Sequence, residues 1–339
     1  MRGRRGARRG LQLAQLERLV AAHALLLGDA RRNAAFEKAL AAHVRPGSAV
    51  LELGAGTGLW AVAAAKLGAR RVVAVERDPL LIPLIEALAQ ENGVRERVQA
   101  VCGDGRRLPL RREFDVVISE TVGNHGLDEQ AVELFARARR HFLARGGVLI
   151  PGALTLCAAP AREKRRRRAP PRLGRRAFES LALQFPRAVA AGTLRLLAPP
   201  VELLHVDLRR ARPPLAPASL CGSWSVADAS RVGGVAVWVR LDLAPGLQLS
   251  TLSGTHWSPI LYGSEPLPRG SGLLDFHLEA AAAAPPRWEI GFGAGAARRS
   301  RSYSPLFAHG WMSPRLARPA APRFAERAMA IARKRRRTL

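Results

Sequence analysis

Three carboxylates stand where short β runs give way to turns, and two more share one loop farther along. The first, Glu52, lies inside VLELGAGTG (Val50–Gly58), where a strand ends in a glycine-rich turn that opens a helix. Glycines at 54, 56 and 58 let the main chain turn tightly and let a ligand approach it. Their spacing alone fits a dinucleotide site equally well. Glu52 separates the two readings, because a carboxylate there repels a pyrophosphate and attracts a cationic or amino-bearing ligand. Glu76 closes VVAVE and can accept hydrogen bonds from both hydroxyls of a ribose. Asp104, in CGDGRRLPL, can receive an adenine amino group. A solvated strand end accounts for Glu76 taken singly, and a turn accounts for Asp104. The three in this order favour an adenosine ligand that carries positive charge. S-adenosyl-L-methionine (SAM), with its ammonium and sulfonium groups, fits that description; a dehydrogenase is the competing reading.

The paired carboxylates are Glu120 and Glu129, in SETVGNHGLDEQ (Ser119–Gln130). Converging from a glycine-containing loop, they can hold a planar guanidinium by charge-assisted hydrogen bonds. Glu129 also suits the positive end of a following helix.

These groups need a scaffold that brings strand ends together. Candidate strands are Ala49–Leu53, Arg71–Val75, Val98–Cys102, Phe114–Ser119 and Gly147–Ile150. Helical stretches at Leu59–Leu67, Leu80–Asn92 and Asp128–Leu143 separate them. Continuous apolar strands joined by helices predict a doubly wound parallel sheet, which binds ligands beyond its carboxyl ends. After Pro151 short β runs recur at Leu154–Ala158, Glu202–Leu208, Val235–Leu243, Leu273–Leu278 and Trp288–Phe292, which predicts an antiparallel sheet or barrel. The segment Arg162–Arg176 reads as an exposed basic insertion, and the alanines 280–284 as a break. The predicted division is a basic disordered start (1–20), a cofactor domain (21–151), a β domain (152–315) and a basic tail (316–339).

The formal net charge of +27 is almost wholly arginine, with only four lysines. Such charge attracts polyanions. Joint enrichment of Arg, Ala, Gly and Pro along the whole chain points rather to a compositional bias, with nucleic acid the alternative partner. Three cysteines without metal spacing suit a reducing cytoplasm. No stretch reaches the roughly 18 uninterrupted apolar residues of a membrane span. The arginine-rich start runs into an amphipathic helix, with Glu17, Arg18, His23 and Asp29 interrupting any signal-like core.

The loop at Ser119–Gln130 resembles the double-glutamate loop of protein arginine methyltransferases. GTHWSP (Gly254–Pro259) is similar to that family's Thr-His-Trp loop, with Thr255, His256 and Trp257 matching residue by residue. The runs GVAVWVRLDL (Gly234–Leu243) and LLAPPVELLHVDL (Leu196–Leu208) resemble its barrel strands, and His23–Phe36 resembles the helix that closes over its cofactor. The resemblance spans about residues 20–292. It implies a Rossmann-like class I methyltransferase domain followed by a mostly antiparallel β-barrel domain. It also implies a dimerisation arm around Ala161–Leu194, with a helix at Phe178–Ala191, and hence a homodimer. By the same resemblance Asp29 pairs with His256, Arg32 binds the SAM carboxylate, Glu52 and Glu76 hold the cofactor, and Trp257 borders the substrate.

Two departures stand out. The family has Trp-Met after the first glutamate, where this chain has Thr121-Val122, and its N-terminal aromatic pair falls near Leu13 and Glu17. Those groups help enclose the acceptor, so their absence bears on substrate and product. The expected activity is SAM-dependent N-methylation of a guanidino group, in first place arginine in a protein or peptide. The alternatives are methylation of free arginine, a guanidino small molecule or another protein side chain, and a catalytically degenerate SAM-binding protein associated with RNA or ribosomes. Like-charge repulsion between this chain and arginine-rich peptides favours a small guanidine or a substrate within an acidic assembly. His256 can also be read as a satisfied buried histidine, and Trp224, Trp238, Trp288 and Trp311 as core or interface.

Overall fold

The computed structural model describes residues 17, 19–123, 130–164, 186–213, 218–281, 284–293 and 299–303. The first part is a parallel sheet of β1 (Ala49–Leu53), β2 (Arg71–Glu76), β3 (Val98–Cys102), β4 (Phe114–Ser119) and β5 (Leu143–Ile150), in the order β3-β2-β1-β4-β5. Strand β1 is buried at every position, Glu52 included, because a central parallel strand is covered on both faces. The covering helices are α1 (19–27), α2 (Ala30–His43), α3 (Leu59–Lys66), α4 (Ile82–Glu91) and α5 (Ala131–His141). From β1 the chain winds outward to β3 and then returns to the other side of β1 as β4. At that reversal the carboxyl ends of β1 and β4 open a crevice. The register pairs Leu53 with Ser119, so Gly54 and Glu120 leave the sheet side by side.

The helix expected through His23–Phe36 is two helices. The chain breaks at Gly28–Asp29, and the Asp29 carboxylate accepts a 2.9 Å hydrogen bond from the Arg32 amide as the cap of α2. An aspartate at this place satisfies an amide that the helix leaves free, so a new helix begins there. Helix α5 is shorter than the predicted Asp128–Leu143, and β5 longer than Gly147–Ile150.

Past Pro151 the chain forms β6 (Ala153–Glu163), β7 (Arg187–Ala188), β8 (Leu194–Leu196), β9 (Val201–Asp207), β10 (Ala218–Val226), β11 (Gly234–Ala244), β12 (Leu247–Ser250), β13 (Ile260–Gly263), β14 (Gly272–Ala281), β15 (Ala284–Phe292) and β16 (Arg299–Tyr303). One antiparallel sheet has the path β7-β13-β11-β6-β8, with β12 on β11 and β9 on β6. The other runs β10-β14-β15-β16. Their inner faces meet where Tyr262 packs on Phe276 and edge-on to Trp288, at ring-centre distances of 5.6 and 5.3 Å. The result is an open, curled half-barrel. Trp224, Trp238 and Trp288 are buried in it, and Trp311 lies outside the described residues. Of the alanines read as a break, Ala281 ends β14 and pairs with Ala284 of β15; residues 282 and 283 lie outside the described residues. The predicted helix Phe178–Ala191 fails at its end, because Arg187–Ala188 pairs with β13; residues 178–185 lie outside the described residues. Arg162 and Glu163, assigned to the basic insertion, complete β6. No helix among the described residues is long and apolar enough to cross a membrane.

Strands β11 and β13 flank the segment that carries Thr255–Trp257. At Gly234, with φ +151°, an added Cβ would lie 2.1 Å from the Tyr262 carbonyl oxygen. Gly234→Ala is expected to separate β11 from β13, lowering the urea midpoint by the equivalent of at least about 2 kcal/mol; an unchanged midpoint would contradict the pairing.

Candidate active site

The crevice is one continuous cavity of about 900 Å³, at the upper end of the ~300–1,000 Å³ usual for small-ligand sites. Glycine conformation shapes its floor. Gly54, Gly56 and Gly58 all have positive φ. A Cβ on Gly54 would meet the Thr121 methyl at 2.5 Å, and one on Gly56 would meet His23 Nε2 at 2.9 Å. Helix α1 therefore roofs the glycine turn with an imidazole, whose Nδ1 is held by the Leu19 carbonyl at 2.9 Å.

The strand-end acids divide into two that shape the cavity and one that is already engaged. Glu76 accepts the Gly56 amide at 2.8 Å and the Asp78 amide at 2.9 Å, which fixes its carboxylate at the end of β2 beside the glycine turn. Glu52 is 1 % exposed and accepts the Ala61 amide at 2.7 Å, in the first turn of α3. Burial pushes its pKa up to about 8, against the opposing pull of the Ala61 and Trp60 amides and the charge of Arg32. A largely neutral acid inside a cavity is one that a cationic ligand would ionise. Asp104 differs from expectation: Arg106 grips it with two guanidinium bonds of 2.9 and 2.7 Å and pulls its pKa down to about 2. It borders the cavity as half of an ion pair, so an adenine amine would compete with Arg106 for it.

At the other end Arg32 and Glu120 form an ion pair, with side chains only 6 % and 10 % exposed. The Arg32 guanidinium also donates to the Leu26 carbonyl and the Asn33 side chain and lies 5.0 Å above the Trp60 ring. Beside it, the imidazole of His256 is joined to Asp29. His256 Nδ1 and the Asp29 carboxylate are 2.9 Å apart, and the same oxygen accepts the His256 amide at 2.6 Å. A carboxylate can only accept, so Nδ1 carries the proton and Nε2 the lone pair. Burial lowers the His256 pKa below its usual value and the nearby Arg32 charge adds to this, while Asp29 pulls the other way. Burial by itself would raise Asp29; the hydrogen bonds from Arg32 and His256 outweigh it and hold Asp29 low. Trp257 is buried and tilts over the His256 ring at 4.3 Å, and both line the cavity.

Eleven of the twelve site residues read from the sequence thus converge on this crevice or brace its walls. Glu129 lies outside the described residues, as do His125 and Asp128. The reading from sequence missed His23, Arg106 and Gln130, and Thr121, noted there only as a departure, lines the cavity with them. His23 was legible as the one polar group midway through an apolar helical stretch. Gln130 has φ +56°, the single positive φ outside glycine among the described residues, and nothing in its type announces that.

A five-stranded parallel sheet, a glycine turn with acids at two strand ends, and a cavity running from that turn to a carboxylate are the arrangement expected of a SAM-dependent methyltransferase. Residues 50–147 match the family described as Methyltransferase domain. The chain is 27 % identical over 249 residues to the arginine N(omega)-methyltransferase of Streptomyces achromogenes subsp. streptozoticus, covering 69 % of this chain and 68 % of that protein. It is 30 % identical over 143 residues to the probable protein arginine N-methyltransferase 6 of Arabidopsis thaliana, covering 42 % and 33 %. Among solved structures, the Trypanosoma brucei PRMT1 enzyme–prozyme heterotetrameric complex with AdoHcy superposes with TM-score 0.71 at 18 % identity, over 83 % of this chain and 97 % of that one. Over about two thirds of its length the chain is similar to arginine methyltransferases, around a SAM-dependent methyltransferase domain. It spans about two thirds of the first of these relatives and a third of the second.

The residues present fit SAM. Glu76 would hold the ribose, the positive-φ glycines leave the floor open, Arg32 offers a guanidinium for a carboxylate, and Glu52 offers an ionisable partner for the ammonium. In the ligand-free protein Glu52's share of stability is present below about pH 4.5, its ordinary value, and is lost as pH rises through about 8. Glu52→Gln is therefore expected to raise the ligand-free Tm at pH 9, leave it nearly unchanged at pH 4.5, and weaken SAM binding. Calorimetry with and without SAM at the two pH values checks all three.

Proposed function

We propose that this enzyme methylates a terminal guanidine nitrogen of arginine in a polypeptide. The observation that carries the reading is that Glu120, inside the cavity, already holds a guanidinium, that of Arg32. A carboxylate so placed can take a second guanidinium from an incoming side chain by the same charge-assisted bonds. Glu129, nine residues on, is the partner that would complete a two-sided clamp.

Arginine has a pKa above ~12, so no side chain here can deprotonate it beforehand. The clamp acts otherwise: it concentrates positive charge on the nitrogens it grips and leaves electron density on the one facing the methyl. When bound, SAM supplies that methyl as an electrophile and leaves as a neutral thioether. Holding donor and acceptor in line contributes on the order of 7 kcal/mol to lowering the barrier. The nitrogen that gains the methyl must then lose a proton. Neutral His256 accepts it on Nε2, and Asp29 steadies the resulting imidazolium. Thr121, whose methyl lies against Gly54, is smaller than the tryptophan of the resembled loop. Homodimerisation through the segment 161–194 belongs to the same reading, and light scattering of the intact chain checks it.

Glu120→Gln is expected to lower kcat by about a thousandfold while SAM affinity changes by less than about fivefold. Transfer of labelled methyl to arginine peptides, read by mass spectrometry, measures the first, and calorimetry the second. A fully active variant ends the clamp hypothesis. Label appearing on free arginine but not on peptides would reassign the acceptor to the small molecule. With His256 as acceptor of the late proton, kcat at saturating SAM is expected to fall only on the acid side of pH 6.5, the ordinary histidine value, because burial lowers the imidazole pKa. A kcat that climbs through pH 8 to 9 would point to another base.

A further inference from the structure

One flank, shared by the cofactor domain and the turn after β9, carries arginines from three separate chain segments, pinned to one another by guanidinium bonds to main-chain carbonyls. The loop between β3 and β4 begins at the cavity wall and passes along α5, where Arg137 donates to the Leu108 carbonyl at 3.0 Å. Its far end is tied down by Arg112, which donates to the Leu143 carbonyl at 3.1 Å. The turn after β9 is held to the same helix by Arg139, which donates to the Leu208 and Ala211 carbonyls at 3.2 and 3.0 Å. These guanidinium groups bind neutral carbonyls, so their charge is not cancelled by the contacts that fix them.

The exposed arginines of that flank are Arg107, Arg111 and Arg112 on the loop, Arg140 near the end of α5, Arg145 in the first part of β5, and Arg210 and Arg212 on the turn. Of the acids nearby, Asp104 pairs with Arg106, Glu113 with Arg71 and Asp207 with Arg209 and Arg210, and Glu133 on α5 adds one negative charge near Arg106. Among the described residues, the large apolar side chains that stand exposed, Val20, Leu25, Leu67, Leu84 and Leu273, all lie on other segments. A protein interface draws most of its affinity from buried aromatic or aliphatic anchors. This flank offers none, whereas it offers planar, always-charged forks suited to phosphate. Along the 11 residues of α5 it extends about 16 Å, enough to follow several consecutive phosphates.

We propose that this flank binds the phosphate backbone of a nucleic acid, without base specificity, at a surface that starts at the rim of the catalytic cavity. The positive charge then gathers substrates carried on nucleic acid instead of repelling arginine-bearing ones; only that last clause rests on the methyl-transfer reading, and binding itself is independent of it.

The test uses the full chain and a fluorescein-labelled 20-nucleotide single-stranded RNA, with anisotropy measured across a potassium chloride series and no SAM present. One variant carries Arg111→Gln, Arg140→Gln and Arg210→Gln. The control removes the same charge elsewhere, as Arg195→Gln, Arg231→Gln and Arg269→Gln; thermal melts establish that both variants fold. The expected result is a loss of at least about tenfold in affinity for the first variant, with the log–log salt slope shallower by about 2, since each lost phosphate contact on a single strand removes ~0.7. The control should stay within about twofold of the parent. Equal losses in both variants would overturn the proposal, since they would mean diffuse charge with no site. No loss in either would also overturn it, assigning binding to the arginine runs near residues 165–176 and 333–337. Failure of the parent to bind RNA while binding polyglutamate of equal charge would replace nucleic acid with an acidic polypeptide.

Discussion

The carboxylate of Asp29 does two jobs that must coincide. One oxygen starts helix α2 by capping the Arg32 amide; the other takes both the backbone and the ring nitrogen of His256, 227 residues away. The half-barrel is thereby fastened to the cofactor domain at the mouth of the cavity. Because Arg32 sits in the first turn of α2, the cap also fixes the guanidinium that reaches Glu120. Three groups of the site, His256, Arg32 and through it Glu120, are thus set by one side chain at the break between two helices.

The parallel sheet was legible because its physics is local. Strands covered on both faces must be apolar along their whole length, and Val50–Leu53, Val72–Val75 and Val116–Ile118 announce themselves. The half-barrel was harder to read. Strand β10, ASLCGSWSV, buries Leu220, Trp224 and Val226 behind an otherwise polar, small-residue face, and resembles a loop in composition. Strand β13 is only four residues long and declares itself only through its partners β11 and β7.

The site divides in the same way. The glycines and the acids of β1 and β2 follow from strand-end chemistry. His256 and Asp29 came into view through resemblance to a known loop, since no local rule joins positions so far apart. What could not be seen were contacts made by arginine. The hold of Arg106 on Asp104 and of Arg32 on Glu120 depends on long side chains reaching across a turn or a domain. In a chain so rich in arginine, many acids have a nearby suitor, and an acid read from sequence as open to a ligand is often already engaged.

Helix α1 lies over the glycine turn, with His23 against Gly56 and with Leu19, Ala22, Leu26 and Leu27 along the cavity wall. The floor beneath a nucleoside thus comes from the sheet, and its roof from a helix outside the sheet. A nucleoside seated on that floor also touches the roof, so residues that never meet the methyl group bear on how tightly the cofactor is held.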